Sequence, residues 1–144
     1  MYKILPLLLL LLLIGCSSDD SPKPTTAEAQ ASQSASQHPP FQSINPTTAM
    51  RLIGDKDNLL IIDVRTTKEI KQYGALANSQ HIEIGTIARN GVPFPKDQPL
   101  LIVCAVGGRS YAVGKFLVKR GHTEIYNLSG GLDRWVQQGL PVVF

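Results

Sequence analysis

The chain has 144 residues and a formal net charge of +3, and its Lys and Arg residues are scattered. A weakly basic surface without charge runs or interleaved aromatic residues argues against a nucleic-acid-binding protein. The two cysteines and three histidines form no C-x-x-C or Cys/His pattern, so we expect no metal site and no resident cofactor.

Residues 1–15 have the composition of a signal peptide. Lys3 precedes an almost wholly apolar stretch, residues 4–14, which is too short to span a membrane comfortably as a helix. The stretch ends in Leu-Ile-Gly-Cys at positions 13–16, which resembles the lipobox of bacterial lipoprotein signals. The resemblance implies that Cys16 is lipidated and begins the mature chain. A cleaved secretory signal with an incidental cysteine is the alternative.

Residues 16–40 are rich in Ser, Pro, Thr, Ala and Gln and have no apolar periodicity, which predicts a flexible tether. Ser17, rather than Asp, follows Cys16, and this resembles the outer-membrane sorting pattern of enterobacterial lipoproteins. We therefore expect a membrane-anchored lipoprotein that faces the periplasm, in the outer membrane rather than the inner one.

Residues 41–144 alternate between short apolar runs and amphipathic segments. Continuous apolar runs are typical of strands that are buried on both faces. Strands are predicted over residues 59–62, 82–84, 100–103 and 124–128, and helices over residues 46–54, 66–73, 110–120 and 132–138. Asn45 before Pro46, and Thr66 with Glu69, are helix-start patterns. The fold class is therefore α/β, with a mostly parallel central sheet flanked by helices.

The loop after the strand at 100–103 carries the candidate chemistry. It places Cys104 at the carboxyl edge of the sheet, where ligands bind in such folds. Paired glycines permit unusual backbone angles, and amides, a helix N-terminus and an arginine then favour a thiolate, the nucleophilic form of cysteine. The loop consists of Cys104, Ala105, Val106, Gly107, Gly108, Arg109 and Ser110. A buried, inert cysteine before an ordinary turn is the alternative.

This loop resembles the active-site loop of rhodanese-type sulfurtransferases: Cys, two residues, Gly, one residue, Arg, Ser. Three further segments are similar to the same family, and together they extend the likeness over about residues 41–143. They are Ile62-Asp63-Val64-Arg65, Gly130-Gly131 with Trp135, and Gly139-x-Pro141. The resemblance implies a rhodanese-like fold, Cys104 as the catalytic nucleophile and residues 105–110 as the substrate-binding loop.

The roles of the supporting residues stay open. Asp63 and Arg65 are expected to border the pocket, although they could equally pair with each other. Glu69 is as well explained by a helix cap as by a site role, and Trp135 is better explained as a core residue. Ser110 is expected to cap the helix and could also donate a hydrogen bond to the sulfur.

One stretch departs from the family, which often has Gly-His-Ile-Pro-Gly-Ala where residues 74–79 read Gly-Ala-Leu-Ala-Asn-Ser. Asn78 stands where glycine is common, and Asn tolerates left-handed backbone angles, so we expect the turn to survive. His81 is displaced and should not inherit a role of the family histidine.

The resemblance implies transfer of a sulfane sulfur from a thiosulfate- or persulfide-class donor to a thiol or cyanide, through a Cys104 persulfide. Arg109 is expected to attract an anionic donor, and the thiolate must be reachable from solvent. One alternative is a Cys-dependent phosphatase or arsenate reductase. Related dual-specificity phosphatases have one more residue between Cys and Arg than the four found here. The other alternative is a sulfur-relay or binding module without turnover; no protein partner is indicated.

Overall fold

The computed structural model describes residues 39–144, so Cys16, the predicted signal peptide and nearly all of the predicted tether lie outside the described residues. The strands are β1 (Phe41–Ile44), β2 (Leu60–Asp63), β3 (Gln80–His81), β4 (Leu100–Val103) and β5 (Ile125–Leu128). The helices are α1 (Pro46–Asp55), α2 (Thr67–Tyr73), α3 (Ile84–Asn90), α4 (Gly108–Lys119) and α5 (Gly131–Gln137). None of these helices is both long and apolar enough to cross a membrane.

The five strands form one sheet in the order β1-β5-β4-β2-β3, and every neighbouring pair is parallel. This confirms the predicted α/β class and the parallel sheet. The chain leaves β2 toward β3 but leaves β4 toward β5, so the direction of winding changes between β2 and β4. In open parallel sheets the crevice at such a point, beyond the carboxyl ends of the strands, is where ligands bind.

The sheet has an apolar core on each face, because alternate residues of a strand point to opposite sides. Leu101 and Val103 of β4 pack with Trp135 of α5 on one face. Leu100 and Ile102 pack on the other face, against α3 and α4. Burial on both faces explains why β2, β4 and β5 are continuous apolar or nearly apolar runs.

Local capping signals set the helix starts as predicted. The Asn45 side chain accepts a hydrogen bond from the Thr48 amide at 2.9 Å, and Pro46 occupies the first turn of α1. Thr66 and Glu69 form a reciprocal capping box at the start of α2. Helix α1 ends one residue beyond the predicted Gly54, at Asp55. The predicted tolerance of Asn78 for a left-handed conformation is confirmed, since its φ is 59°.

One strand at the sheet margin was not predicted, and another was predicted at the wrong residues. The strand β1 was not predicted, because an edge strand that is only partly covered needs no continuous apolar run. The strand predicted over residues 82–84 is instead the short, exposed pair Gln80–His81, and Ile84 begins helix α3. Ile84 and Ile87 are three residues apart, a helical spacing, and Ile87 is buried in the core. The helical spacing was overlooked because residues 82 and 84 were interpreted as alternate residues of a strand.

Candidate active site

Cys104 follows β4 directly and begins a tight loop that leads into α4. The residue before α4, Gly107, has a φ of 90°, in the left-handed region. A side chain there would also lie 2.9 Å from the Gly130 amide nitrogen, so glycine is required on two counts. Gly108 is different: it lies within α4 with no positive φ and open space around it, so the expectation that both glycines need unusual angles is wrong.

The loop folds back so that hydrogen-bond donors surround the sulfur. Distances to Cys104 Sγ are 3.1 Å from the Gly107 amide, 3.4 Å from the Ser110 amide and 3.3 Å from the Ser110 hydroxyl. Burial raises the pKa of the thiol, but the hydroxyl and three loop amides outweigh it, and the pKa lies below that of an ordinary cysteine. This arrangement favours the thiolate predicted from the sequence.

The Ser110 hydroxyl belongs to a buried polar network that reaches the edge strand. Its oxygen lies 2.6 Å from Asn127 Oδ1, and the Asn127 amide donates to Ser43 Oγ at 2.6 Å. The expectation that Ser110 caps the helix is wrong, because it lies inside α4 and bonds the sulfur instead. Asn127 was missed in the sequence; its only signal is a polar residue in an otherwise apolar strand.

Replacing Ser110 with alanine is expected to raise the thiol pKa, because a donor to the sulfur anion is lost. The pH dependence of iodoacetamide alkylation of Cys104 measures this shift, and at neutral pH the variant should react more slowly. Ser79→Ala is the control, since Ser79 donates nothing to the sulfur. An unchanged alkylation profile in Ser110→Ala would assign the lowered pKa to the amides alone.

The sulfur is covered in this conformation. Cys104 is 0 % exposed, so the prediction that the thiolate is reachable from solvent is wrong for the structure described. The sulfur is free of disulfide bonding, and Ala105, the next residue, forms part of the wall of a neighbouring cavity. The sulfur therefore lies behind this wall rather than on an open surface.

Arg109 and Glu69 form an ion pair across the crevice between β2 and β4. Glu69 accepts from both terminal nitrogens of the guanidinium, one of them at 3.0 Å, while also capping α2. The hydrogen bond from Arg109 lowers the pKa of Glu69 to about 2, so the pair is charged at neutral pH. Glu69 is thus both a helix cap and a neighbour of the loop. Its carboxylate neutralises the positive charge predicted at Arg109.

Asp63 and Arg65 form a second ion pair that is almost completely buried. Both side chains are 1 % exposed, and Arg65 donates to Asp63 through two nitrogens and to the Gly74 carbonyl at 2.6 Å. Arg65 lines the cavity as expected, whereas Asp63 does not. Of the two readings open for Asp63, mutual pairing is the one observed, and its role is to hold Arg65 in place.

The cavity beside the loop has a volume of about 460 Å³, a size typical of small-molecule sites. Its wall combines two carboxyl side chains, a buried arginine and apolar side chains. The lining residues are Arg65, Glu69, Tyr73, Ala105, Leu132, Asp133, Val136 and Gln137. The sequence did not indicate that α5 lines the cavity, because the residues of α5 approach the Cys104 loop only in the folded chain.

The first residues of α5 form hydrogen bonds to the Cys104 loop. The Leu132 amide donates to the Cys104 carbonyl and the Asp133 amide to the Ala105 carbonyl, both at 2.9 Å. Gly131 permits this approach, since a side chain there would lie 2.3 Å from the Ala105 carbonyl oxygen. Residues 39–144 contain no cluster of three or more His, Cys, Asp or Glu residues that could hold a metal ion.

A family model described as a rhodanese-like domain matches residues 45–138, which span β2, the Cys104 loop and α5. The chain belongs to the rhodanese-like domain family. The predicted fold class is therefore confirmed by architecture and by family alike.

Curated relatives of this rhodanese-like domain include enzymes of sulfur transfer. A sulfurtransferase of Allochromatium vinosum is 31% identical over 100 residues, which is 69% of this chain and 92% of the relative. The thiosulfate sulfurtransferase GlpE of Pseudoalteromonas translucida is 30% identical, over 66% of this chain and 89% of the relative. Sulfur transfer is thus the activity of the family members that this chain resembles.

Solved structures agree with the fold. A rhodanese-related protein from Thermoplasma volcanium superposes with a TM-score of 0.62 and 30% identity, over 71% of this chain and 97% of the other. The polysulfide-sulfur transferase homodimer of Wolinella succinogenes gives a TM-score of 0.59 and 27% identity, over 81% of this chain and 85% of the other.

The structure brings most of the predicted site residues of the rhodanese-like domain together. Cys104 lies within the cradle formed by Gly107 and Ser110, Ala105 and Arg65 line the cavity, and Arg109 lies at its border through Glu69. The other three predicted residues place no side chain against the cavity or the sulfur. Asp63 pairs with Arg65, Val106 projects outward and is exposed, and Gly108 has no side chain. Trp135 is a core residue, as expected, and its indole donates to the Pro141 carbonyl at 2.9 Å.

Proposed function

We propose that this rhodanese-like protein transfers a sulfane sulfur from a thiosulfate- or persulfide-class donor to a thiophilic acceptor through a persulfide on Cys104. The observation that carries the proposal is the cradle of Gly107 and Ser110 donors around Cys104 Sγ. A cradle of this kind stabilises the attacking thiolate and then an anionic persulfide at the same place.

The transfer proceeds in two balanced steps. With thiosulfate, the Cys104 thiolate attacks the outer sulfur, a new S–S bond forms, the donor S–S bond breaks, and sulfite leaves with the electron pair. With cyanide, the acceptor carbon takes the outer sulfur, thiocyanate forms, and the thiolate is regenerated. Covalent catalysis here divides one transfer into two displacements, and no metal or cofactor takes part.

A donor in the neighbouring cavity must reach a covered sulfur. Arg109 is the side chain best suited to move, because its side chain is 34% exposed and its partner Glu69 is 26% exposed. Rotation of a long arginine side chain requires no backbone movement. We propose that the donor displaces the guanidinium from its position beside Glu69 and that the loop itself stays in place.

Intact-mass analysis after incubation with several sulfane-sulfur donors tests the proposal. We expect one added sulfur atom, located on Cys104, and its removal by cyanide. Turnover of a phosphate ester or of arsenate without any added sulfur would contradict the proposal and favour the phosphatase or arsenate reductase alternative. Sulfur loading that no small acceptor removes would favour the relay module.

We further propose that the protein is held at the cell envelope by lipid on Cys16 and faces the periplasm, in the outer membrane rather than the inner one. The support is the apolar stretch that ends in Leu-Ile-Gly-Cys at positions 13–16. One acyl chain anchors a protein only marginally, whereas two or more anchor it stably.

Cys16→Ala is expected to lose the lipid and to leave the membrane fraction. The mature wild-type chain should carry the mass of the added acyl groups, and the variant should not. Cys104→Ala is the control, because it removes the other cysteine and should leave the lipid in place. Lipid on the Cys16→Ala chain would place the anchor elsewhere.

A further inference from the structure

Both guanidinium groups beside the cavity are matched by carboxylates. Arg65 pairs with Asp63, and Arg109 pairs with Glu69. Asp133 also lines the cavity, and within the described part of the chain it forms no ion pair. These side chains together carry one negative charge in excess, even before the charge of the thiolate is added. A dianion that enters this cavity is therefore repelled.

The backbone amides at the start of α5 do not offset this excess. The Leu132 and Asp133 amides at the start of α5 are used by the carbonyls of Cys104 and Ala105. The amides of Gly107 and Ser110 point at the sulfur. These donors stabilise charge on Cys104 and on the sulfur bonded to it, and are not directed at the oxygens of a sulfonate group.

Apolar side chains make up much of the remaining wall. Tyr73 and Val136 line the cavity while 56% and 50% exposed, and Leu132 and Ala105 complete this side. Exposed apolar groups that line a cavity are typical of sites for organic ligands. Because these apolar side chains lie next to the loop, an organic substituent on a bound donor would contact them.

We infer that the preferred donor carries its sulfane sulfur on an apolar organic group with at most one negative charge, rather than being thiosulfate. The inference rests on the proposed function and names its donor class. With a thiosulfonate, the Cys104 thiolate bonds to the terminal sulfur, the S–S bond breaks, and an organic sulfinate leaves with the electron pair. With an organic persulfide, the leaving thiolate takes the proton of the transferred sulfur.

A series of three donors separates charge from apolar contact. Thiosulfate is a dianion, methanethiosulfonate replaces one charged oxygen by a methyl group, and benzenethiosulfonate replaces that methyl by a ring. Each kcat/KM, measured with cyanide as acceptor, is divided by the uncatalysed rate of the same donor. In the wild-type chain we expect this ratio to be at least about tenfold higher for benzenethiosulfonate than for thiosulfate. The repulsion of the dianion and the apolar contact of the ring both favour benzenethiosulfonate, and their effects add.

Glu69→Gln frees the Arg109 charge without removing the helix cap, because glutamine also completes a capping box. We expect kcat/KM for thiosulfate to rise about tenfold, and that for methanethiosulfonate to change less than about threefold, because the gain depends on donor charge. Asp97→Asn is the matched control: it removes one exposed carboxylate at the opposite edge of the sheet and should change neither value. Tyr73→Ala should lower only the advantage of benzenethiosulfonate.

The outcomes distinguish the inference from the proposed function. If none of the donors places sulfur on Cys104, the proposed function fails and the inference fails with it. If Cys104 is loaded but thiosulfate is the better normalised donor, the inference alone is overturned. The same conclusion follows if Glu69→Gln leaves the preference between thiosulfate and methanethiosulfonate unchanged. The donor class is supported by a wild-type preference for benzenethiosulfonate together with a preference that shifts toward thiosulfate in Glu69→Gln and not in Asp97→Asn.

Discussion

Cys104→Ser is expected to abolish sulfur loading and to lower turnover by at least about a thousandfold, because a serine hydroxyl at neutral pH is not an anionic nucleophile. The fold should persist. Serine is slightly smaller than cysteine, and its oxygen can accept from the same Gly107 and Ser110 donors that surround the sulfur. The measurements are intact mass after donor treatment, steady-state turnover with cyanide, and a thermal melt.

Two comparisons make this result specific. Cys16→Ala keeps the proposed nucleophile and should load sulfur as the wild-type chain does, which shows that the loaded cysteine is Cys104. The melt of Cys104→Ser should stay within a few degrees of wild type, because a buried polar atom that keeps its partners costs about 1 kcal/mol or less. Sulfur loading in Cys104→Ser equal to that of wild type would assign the nucleophile to another residue.

Gly131→Ala is expected to destabilise the domain by about 2–4 kcal/mol and to disable the loop, because a side chain there meets backbone rather than a flexible group. The added carbon would lie 2.3 Å from the Ala105 carbonyl oxygen and 2.4 Å from that of Cys104. The backbone at this position is also left-handed, with a φ of 59°. The backbone must therefore move, and this movement would break the hydrogen bonds that α5 donates to the loop.

Gly54→Ala is the matched control for this experiment. Gly54 lies within α1, no atom lies within 4 Å of an added side chain, and alanine is favoured over glycine in a helix. We expect Gly54→Ala to melt at or slightly above the wild-type temperature, and Gly131→Ala about 10 °C or more below it. A Gly131→Ala chain with wild-type stability and normal sulfur loading would show that α5 does not hold the loop.

The pairing of Arg109 with Glu69 results from the change of winding direction between β2 and β4. Glu69 follows β2 and Arg109 follows β4, and they are 40 residues apart in the chain. The crevice brings the two segments together, so the guanidinium meets a carboxylate before any donor arrives. The charge at Arg109 therefore becomes available to a donor only when the pair opens, which is why Glu69→Gln is informative.

The helix starts and the buried strands were predictable because local interactions decide them. A capping box, an Asn before Pro and a continuous apolar run each act within a few residues, as at Thr66 and Asn45. The same holds for the loop, where strand, glycine and helix start place donors around Cys104 within six residues. The edge strand β1 was missed because partial burial imposes no local pattern, and α3 was missed because its first residues were interpreted as a strand.

The cradle of donors around Cys104 was predictable from the sequence, because it is built from one contiguous segment whose backbone angles are set locally. Three other features depend on the folded chain: Glu69 neutralises Arg109, Asn127 contacts Ser110, and α5 lines the cavity. These contacts join residues that are far apart in the chain. Their meeting depends on the order of strands in the sheet, and electrostatic energy depends on distance in space rather than along the chain.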